Sequence, residues 1–316
     1  MRGRVDAVLD EFRIGPKSYF VLERLGRRER FRVFDPSAGL NGDYRVVHFL
    51  PRGKATEQQL EVLRRFSEKN LHFPKILECQ RRRDDIALIT TWVWGVNLAE
   101  YLRAVRERKQ PRPSIPECVR LVNKLAHGLA HLHVKANVVH GDVKPANLVL
   151  EKDPTRLVLI DFGSAWPAER ATRKAPGDGL TVPYAAPEQC SADAAPDFRA
   201  DVFSLGVVLF EMLTLEIPFE GAGGQAGLPE NAGEFPGTCE TLSSKIGDPS
   251  RFPRDAVRSL DAFLQDSLAL DRNKRFASRS EWLDAFDEAA RRFREAGRLG
   301  FFGRTFLSWL DRLSGR

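Results

Sequence analysis

The chain of 316 residues is poor in cysteine and has no long apolar run, and these absences exclude several classes of protein. Its four cysteines stand far apart and form no C-x-x-C pair, so neither a disulfide framework nor a cysteine-bound metal is expected. No segment reaches the roughly 18 apolar residues of a membrane-spanning helix. The N-terminal MRGRVDAVLDEF lacks the apolar core of a signal peptide, so we expect a cytoplasmic protein in a reducing compartment.

The overall composition is that of an ordinary globular protein. Hydrophobic residues make up 42% of the chain and charged residues 29%, which argues against disorder. The net charge of +6 is spread over Arg-rich runs such as RRRDD and ARRFRE. No stacking-aromatic or zinc pattern accompanies this charge, so nucleic-acid binding is not favoured. Solvated faces or attraction to acidic substrates explain the charge as well.

Short β-rich runs separated by Gly, Pro, Asn and Asp dominate residues 19–89. They are YFVLERL, FRVF, YRVVHFL and IALITTWV, and each predicts a strand. Between them, TEQQLEVLRRF places Leu60, Leu63 and Phe66 on one face of a predicted helix, with Thr56 as its cap.

Helical patterns follow Gly95. LVNKLAHGLAHL repeats leucine on one face of a long helix, and DVFSLGVVLFEML is apolar on every face, which predicts a helix buried in a helical lobe. Ser278 and Glu281 form a capping box ahead of another amphipathic helix. The Gly- and Pro-rich stretch 220–248 predicts a long surface loop.

These patterns predict an α+β architecture of two lobes. We expect a small β-rich lobe over residues 1–93, a hinge near residues 91–95, a larger α-helical lobe over 94–297 and a separate tail over 298–316.

The strongest chemical signal is the loop VVHGDVKPANLVL, followed by the strand RLVLI and the triplet Asp161-Phe162-Gly163. Phosphoryl transfer requires a carboxylate to orient the attacking hydroxyl, a cation near the moving phosphoryl group and oxygen ligands for Mg²⁺. The loop offers Asp142, Lys144 and Asn147, and the strand presents Asp161. Asn147 and Asp161 supply the oxygens that Mg²⁺ prefers. D-F-G alone would be an ordinary turn, but after D-x-K-x-x-N at this distance it indicates a phosphotransfer site.

These motifs resemble those of the protein kinase family over roughly residues 19–293, and HGDVKPANL is similar to the family's catalytic loop. The resemblance implies a bilobal kinase-like fold. It implies that Asp142 orients the substrate hydroxyl, that Lys144 neutralises the phosphoryl group, and that Asn147 and Asp161 each hold a metal ion. The Lys-Pro pair after Val143 is the form usual in Ser/Thr kinases.

The resemblance also implies structural supports around this loop. TVPYAAPEQ resembles the end of an activation segment, in which Thr181 would brace the catalytic loop. Glu188 of the A-P-E triplet would form a buried ion pair with Arg275, and Asp201 would hold the catalytic loop from below.

LITTWVWGVNL resembles the strand and hinge that hold adenine in this family. The resemblance implies Thr90 as the gatekeeper and hydrogen bonds to the base from backbone groups of Thr91 and Val93. Val149 is apolar where the family places a residue under the adenine ring.

The predicted small lobe departs from the family in its glycine-rich loop, where LGRRERFRVF replaces G-x-G-x-x-G-x-V. Gly26 and Val33 match the pattern. Arg28 and Phe31 replace glycines whose missing side chains let backbone N–H groups approach phosphate. Phe31 has the strand parity of Val33, which would let it point inward and crowd the phosphates, whereas Arg28 would offer them a cation.

A second departure is His48, which stands with Val46 where the family has the V-A-I-K motif and its phosphate-binding lysine. Histidine is shorter than lysine and mostly neutral at pH 7. Losing such a charge contact costs about 3 kcal/mol unless another cation substitutes. Gln59 stands where a glutamate would pair with the lysine, and a hydrogen bond from it to His48 is still open. The candidate replacement cations, which the sequence does not rank, are Arg27, Arg28, Arg32 and Lys54.

Gly141 replaces the arginine of H-R-D, which in the family receives a phosphate from the activation loop. Without it, phosphate-dependent ordering of residues 164–185 is not favoured, although Thr172 stays a candidate phosphosite.

The tail FFGRTFLSWLDRLSGR carries an apolar stripe with arginine flanks. The pattern fits a helix docked on its own lobe, a helix that binds a partner or a second copy, or a helix on a membrane surface. Its apolar residues are Phe302, Phe306, Trp309, Leu310 and Leu313.

Different classes of function remain open. One is an atypical Ser/Thr protein kinase that uses ATP and Mg²⁺ on a protein substrate, favoured by the complete set of large-lobe residues. The other is a pseudokinase that regulates a partner protein by its shape, favoured by His48, Phe31 and Arg28. A transferase that uses a different phosphate of ATP is a third alternative.

Overall fold

The computed structural model describes residues 7–26, 29–151, 156–162, 165–167, 181–190, 196–246 and 252–297. The chain divides into two units, the first ending at Trp94 and the second beginning at Gly95. Several predictions lie outside the described residues or side chains and stay predictions: those on Arg27, Arg28, Lys54, Gln59, Gly163, Thr172 and the tail 298–316.

The first unit contains a six-stranded antiparallel sheet and, within its described residues, one helix. Its elements are β1 Asp10–Ile14, β2 Lys17–Arg24, β3 Arg30–Asp35, β4 Asp43–Pro51, α1 Lys54–Ser67, β5 Ile76–Arg81 and β6 Asp85–Thr91. The strand order is β1-β2-β3-β4-β6-β5. The four predicted strands and the helix are all present, whereas β1 and β5 were not predicted because DEFRI and ILECQR are too polar to signal strands.

One face of this sheet carries a hydrophobic core because alternate residues of each strand point the same way. Val33 of β3 pairs with Val21 of β2, and Val47 of β4 pairs with Ile89 of β6. All four side chains are buried, together with Tyr19. Burying an apolar side chain of this size contributes about 1.5–3 kcal/mol, so the face itself holds the strands in register.

Helix α1 has the predicted apolar stripe but not the predicted cap. Leu60, Leu63 and Phe66 are buried, as expected. The cap position is Gly53, without a side-chain hydrogen bond, so the assignment of Thr56 as the cap is wrong. The helix starts earlier because packing of its apolar stripe outweighs a single capping hydroxyl.

The second unit is mainly helical. Its elements are β7 Gly95–Asn97, α2 Leu98–Arg106, α3 Ile115–Lys135, β8 Val138–Val139, β9 Leu148–Glu151, β10 Leu157–Leu159, β11 Trp166–Pro167, α4 Pro187–Cys190, α5 Phe198–Thr214, α6 Leu242–Lys245, α7 Arg254–Ser267 and α8 Arg279–Gly297. Every residue of α5 except Arg199 is buried, as its uniformly apolar sequence predicts. At the start of α8, the Ser278 hydroxyl accepts a hydrogen bond from the Glu281 amide at 3.1 Å. None of the described helices is long and apolar enough to cross a membrane.

Short helical turns interrupt the predicted surface loop in the described part of 220–248: 3₁₀ helices at Phe219–Gly221, Gly223–Gly227 and Pro229–Asn231, followed by α6. Gly223, Gly224 and Ala226 are buried, whereas Pro229–Asn231 has no buried residue and fits the predicted surface loop. A Cβ atom on Gly223 or Gly224 would lie 1.8 Å from a backbone oxygen of Pro183 or Ala185. The glycines therefore permit close backbone contact rather than a free loop.

Candidate active site

The loop after β8 closes on itself around Asp142. The Asn147 side-chain amide donates to both the backbone oxygen and the Oδ2 atom of Asp142, each at 2.9 Å. The Lys144 Nζ atom lies 2.8 Å from the other carboxylate oxygen. Pro145–Asn147 forms a 3₁₀ turn, which brings residues five apart in sequence into contact. Both oxygens of the carboxylate are therefore oriented before any substrate is present.

The same contacts fix the orientation of the Asn147 side-chain amide. Two acceptors face its side-chain nitrogen, so that side of the amide is a donor and the amide oxygen points the other way. The Asn147 backbone oxygen accepts a hydrogen bond from the Ile160 amide at 2.9 Å, which ties the loop to the residue before Asp161. The side chains of Asn147 and Asp161 are both buried. An amide oxygen and a carboxylate fit Mg²⁺, which takes few protein oxygens and completes its shell with water and phosphate.

No group of three or more His, Cys, Asp or Glu side chains able to hold a metal ion occurs among the described residues.

Asp201 of α5 anchors the backbone of the catalytic loop, as the resemblance implied. Its carboxylate accepts hydrogen bonds from the amides of His140 and Gly141, both at 2.8 Å, and contacts the His133 Nε2 atom at 2.8 Å. The side chain is fully buried. Burial alone would raise the pKa of Asp201, but the hydrogen bonds from His133 and the Gly141 amide hold it below its ordinary value. The anchor is thus a carboxylate, not a carboxylic acid, at neutral pH.

His140 and Gly141, whose amides Asp201 binds, are each suited to their place in the loop. Complete burial lowers the pKa of His140, so its ring is neutral at pH 7, and it packs 6.2 Å from the Phe162 ring centroid. Gly141 has φ of +69°, the left-handed region that glycine adopts without steric cost. The glycine that replaces the family's arginine therefore suits the backbone conformation at this position.

Residues 181–190 are bound to the catalytic loop through side chains. The Lys144 Nζ atom donates to the Thr181 hydroxyl at 2.5 Å, which agrees with the expected brace. Gln189 donates to the Gly141 carbonyl and accepts from the Ala186 amide, both at 2.9 Å. Gln189 was not predicted; its position directly after A-P-E was the only signal.

The expected ion pair between Glu188 and Arg275 is present and bidentate, with N–O distances of 2.7 and 3.1 Å. Both side chains are buried, and Arg275 also lies 4.8 Å from the Phe203 ring centroid. Paired guanidinium and carboxylate groups in such surroundings hold the end of residues 181–190 on α5 and the turn before α8. This pair is a structural support and contains none of the reacting groups.

The predicted nucleotide-binding residues of the first unit do not all share one face of the sheet. Val46 and His48 are two apart on β4, and Val46 pairs with Thr90, so these three lie on one face. Val33 pairs with Arg45 and lies with Phe31 on the opposite face. The structure thus brings Val46, His48 and the gatekeeper together but does not bring Val33 to them.

The sequence allowed Phe31 to point toward the face that carries His48, but its side chain lies on the opposite face of the sheet. Its ring packs edge-on against Phe12 and Phe49, at centroid distances of 5.0 and 6.1 Å. The β3–β4 register places Arg30 and Arg32 on the face that carries His48 instead. Crowding of phosphates by Phe31 is therefore not supported, and two arginines take the inward parity.

The predicted hinge follows β6. The Thr91 amide donates to the Lys75 carbonyl at 3.0 Å, so this amide is already used in a hydrogen bond within the first unit. Val93 lies two residues after Thr91 in the predicted hinge. Gly26, which belongs to the altered glycine-rich loop, lies two residues after the end of β2. Val149 lies buried on β9 of the second unit, paired with Val158.

A sequence model of the protein kinase domain matches residues 50–285, which is more than half of the chain. The chain belongs to the protein kinase family. The match begins after His48 and Gly26, so it covers the whole D-x-K-x-x-N and D-F-G region but leaves out the part of this kinase-family chain where the glycine-rich loop and lysine are altered.

Known kinases similar to this chain include bacterial Ser/Thr kinases. The probable serine/threonine-protein kinase pknA2 of Bifidobacterium longum is 32% identical over 197 residues, covering 60% of this chain and 25% of the relative. Serine/threonine-protein kinase PknJ of Mycobacterium tuberculosis is 33% identical over 198 residues, covering 61% and 31%. This kinase-family chain therefore spans about a quarter to a third of the length of these curated relatives.

A solved structure supports the same fold. The PK-1 kinase of Cydia pomonella granulovirus superposes with a TM-score of 0.66 at 22% identity, covering 84% of this chain and 93% of that one. The expected family and the expected α+β bilobal kinase fold are both confirmed.

Proposed function

We propose that this chain is an atypical Ser/Thr protein kinase that transfers the γ-phosphoryl group of ATP to a hydroxyl of a protein substrate. The observation that carries the proposal is the closed loop in which Asn147 and Lys144 orient both oxygens of Asp142, at 2.9 and 2.8 Å. A carboxylate held in this way is pre-organised for its partner, and positioning is most of what a protein contributes to phosphoryl transfer.

Each residue of the loop then has a role. Asp142 orients the substrate hydroxyl and accepts its proton as the oxygen bonds to phosphorus and the bond to the leaving ADP oxygen breaks. Lys144, held by Thr181, offsets negative charge on the group in transfer. Asn147 and Asp161 would hold Mg²⁺, and when bound this ion neutralises and orients the phosphate oxygens.

A second candidate function, a pseudokinase that acts as a scaffold for a partner protein, is favoured by His48 in place of the phosphate-binding lysine. Losing such a contact costs about 3 kcal/mol, or on the order of a hundredfold in rate, which slows an enzyme without abolishing it. The complete set Asp142, Lys144, Asn147 and Asp161 favours the enzyme, because a scaffold has no use for their chemistry.

Thermal unfolding with ATP, in the presence and absence of Mg²⁺, tests the proposed nucleotide and metal site. At about 100 times its Kd, a ligand stabilises the folded state by about 2.7 kcal/mol. We expect ATP with Mg²⁺ to raise Tm and ATP alone to raise it much less, because Mg²⁺ held by Asn147 and Asp161 would neutralise the charge of the phosphate oxygens.

Asp161→Ala should abolish the Mg²⁺-dependent part of the shift, whereas Asp255→Ala, which removes an exposed carboxylate of α7, should leave it unchanged. A Mg²⁺-dependent shift that persists in Asp161→Ala would refute the proposed metal ligand. No shift with any nucleotide in the unaltered protein would favour the scaffold.

A further inference from the structure

Arg30 lies directly across from His48, the residue that replaces the family's lysine. The antiparallel register of β3 and β4 pairs Arg30 with His48 and Arg32 with Val46. Directly opposed residues in such a pair have Cβ atoms about 4.5–5.5 Å apart and point to the same face. The Arg30 side chain is therefore long enough for its guanidinium group to reach the place that the side chain of the missing lysine would occupy.

This face is the one that carries the proposed nucleotide contacts. Val46 and His48 pair with Thr90 and Leu88 of β6, so Arg30 joins a continuous row across three strands. The opposite face is filled by the hydrophobic core described above, with Val47 fully buried in it. A cation on this sheet can thus serve phosphate only from the face that Arg30 and Arg32 share.

Arg32 lies next to side chains at the hinge end of the sheet. Its Nε atom lies 3.4 Å from a Glu23 carboxylate oxygen. Its guanidinium lies 5.5 Å from the Trp92 ring centroid and 5.9 Å from that of Tyr44. Arg32 pairs with Val46, so these contacts lie near Trp92 of the predicted hinge and not next to His48. The register thus separates the arginines by position.

We propose that Arg30 supplies the phosphate-binding cation that His48 does not, a role that rests on the proposed function. The chemical class it recognises is a polyphosphate of a nucleotide. Arginine is always charged and offers a planar fork of N–H donors that suits phosphate oxygens. A cation on β3 instead of β4 lies on the same face of the sheet. It can therefore bind the same phosphate oxygens although the lysine of β4 is absent.

Calorimetric binding of ATP and of adenosine, both with Mg²⁺, tests this role without any measurement of catalysis. Arg30→Gln keeps length and hydrogen bonding but removes the charge. We expect it to weaken ATP binding by about tenfold or more, the effect of one charged hydrogen bond, and to leave adenosine binding unchanged. Unchanged adenosine binding also shows that the variant is folded. Arg32→Gln is the matched control and should not weaken ATP selectively.

A rescue variant sharpens the test. Adding His48→Lys to Arg30→Gln returns a cation to the same face and should restore most of the ATP affinity, and Arg30→Lys should retain it. Equal ATP affinity in Arg30→Gln and the unaltered protein would overturn the role of Arg30 but not the proposed function. Selective ATP loss in Arg32→Gln alone would do the same. Failure of the unaltered protein to bind either ligand would overturn both proposals.

Discussion

Replacing Asp201 should destabilise the second unit by an amount that the hydrogen bonds of its carboxylate determine. Asp201→Ala leaves the buried amides of His140 and Gly141 without their acceptor. Each such loss costs about 1–3 kcal/mol, so together they cost about 2–6 kcal/mol, before the contact with His133 is counted. This is a large part of the roughly 5–15 kcal/mol that stabilises a typical domain.

Asp201→Asn is the matched control because it keeps the shape and one of the two acceptor oxygens. Oδ2 serves both His140 and His133, and Oδ1 serves Gly141, so an amide oriented with its oxygen toward His140 keeps those contacts but places its NH₂ donor against the Gly141 N–H, which is left without an acceptor. We expect a loss of about 1–3 kcal/mol, clearly smaller than that of Asp201→Ala.

Urea unfolding followed by circular dichroism measures both losses, and an unchanged m value would show that the unfolded states are comparable. If Asp201→Ala lost less than about 1 kcal/mol, the two amides would have found other acceptors. The anchoring of the catalytic loop by Asp201 would then be refuted, whatever the activity of the variant.

Two further predictions concern neighbouring residues. Gly141→Arg, which restores the family's residue, should lower the free energy of unfolding by about 1–2 kcal/mol because φ is +69° there; no loss in urea unfolding would contradict the backbone argument. Burial lowers the pKa of His140 in the folded protein, so as the pH falls below about 6.5 the unfolded chain takes up a proton before the folded protein does. The free energy of unfolding should therefore fall as the solution becomes more acid. His140→Phe keeps a ring but cannot titrate, so its unfolding free energy should depend less on pH between about 5 and 7; an equal pH dependence would assign the effect to another group.

The catalytic loop and its supports could be predicted from the sequence because their contacts follow from motif spacing. Asp142 and Asn147 are close in the chain, and a short turn between them leaves little choice of geometry. Asp201, Glu188 and Arg275 are distant in sequence, and only the resemblance to the kinase family indicated their contacts. The structure contains them as implied.

The inward face of β3 could not be predicted in the same way. In a strand, a shift of one residue moves every side chain to the opposite face. The register of β3 depends on the turn to β4, and a bulge between Val21 and Glu23 shifts its pairing with β2. Neither feature has a sequence signal of its own, so the sequence pattern predicts Val33, rather than Arg30, on the nucleotide face.

The stretch 220–248 shows a different limit. Glycine and proline both favour turns, so its composition predicts a loop. Gly223 and Gly224 instead allow the backbone to lie against Pro183 and Ala185, a tertiary contact that local composition does not encode. Composition predicted irregular backbone there but not its packing.

Phosphotransfer by purified protein and by Asp142→Asn tests the central claim most directly. Asparagine keeps the shape of the side chain and its contact with Asn147 but loses the charge and cannot take up the hydroxyl proton, while Lys144 keeps its bond to Thr181. We expect folding and ATP binding to be nearly unchanged, and transfer from radiolabelled ATP to a protein substrate, or to the chain itself, to be lost. Equal transfer by both proteins would contradict the role of Asp142, and no transfer by the unaltered protein with Mg²⁺ would contradict the enzyme and favour the scaffold.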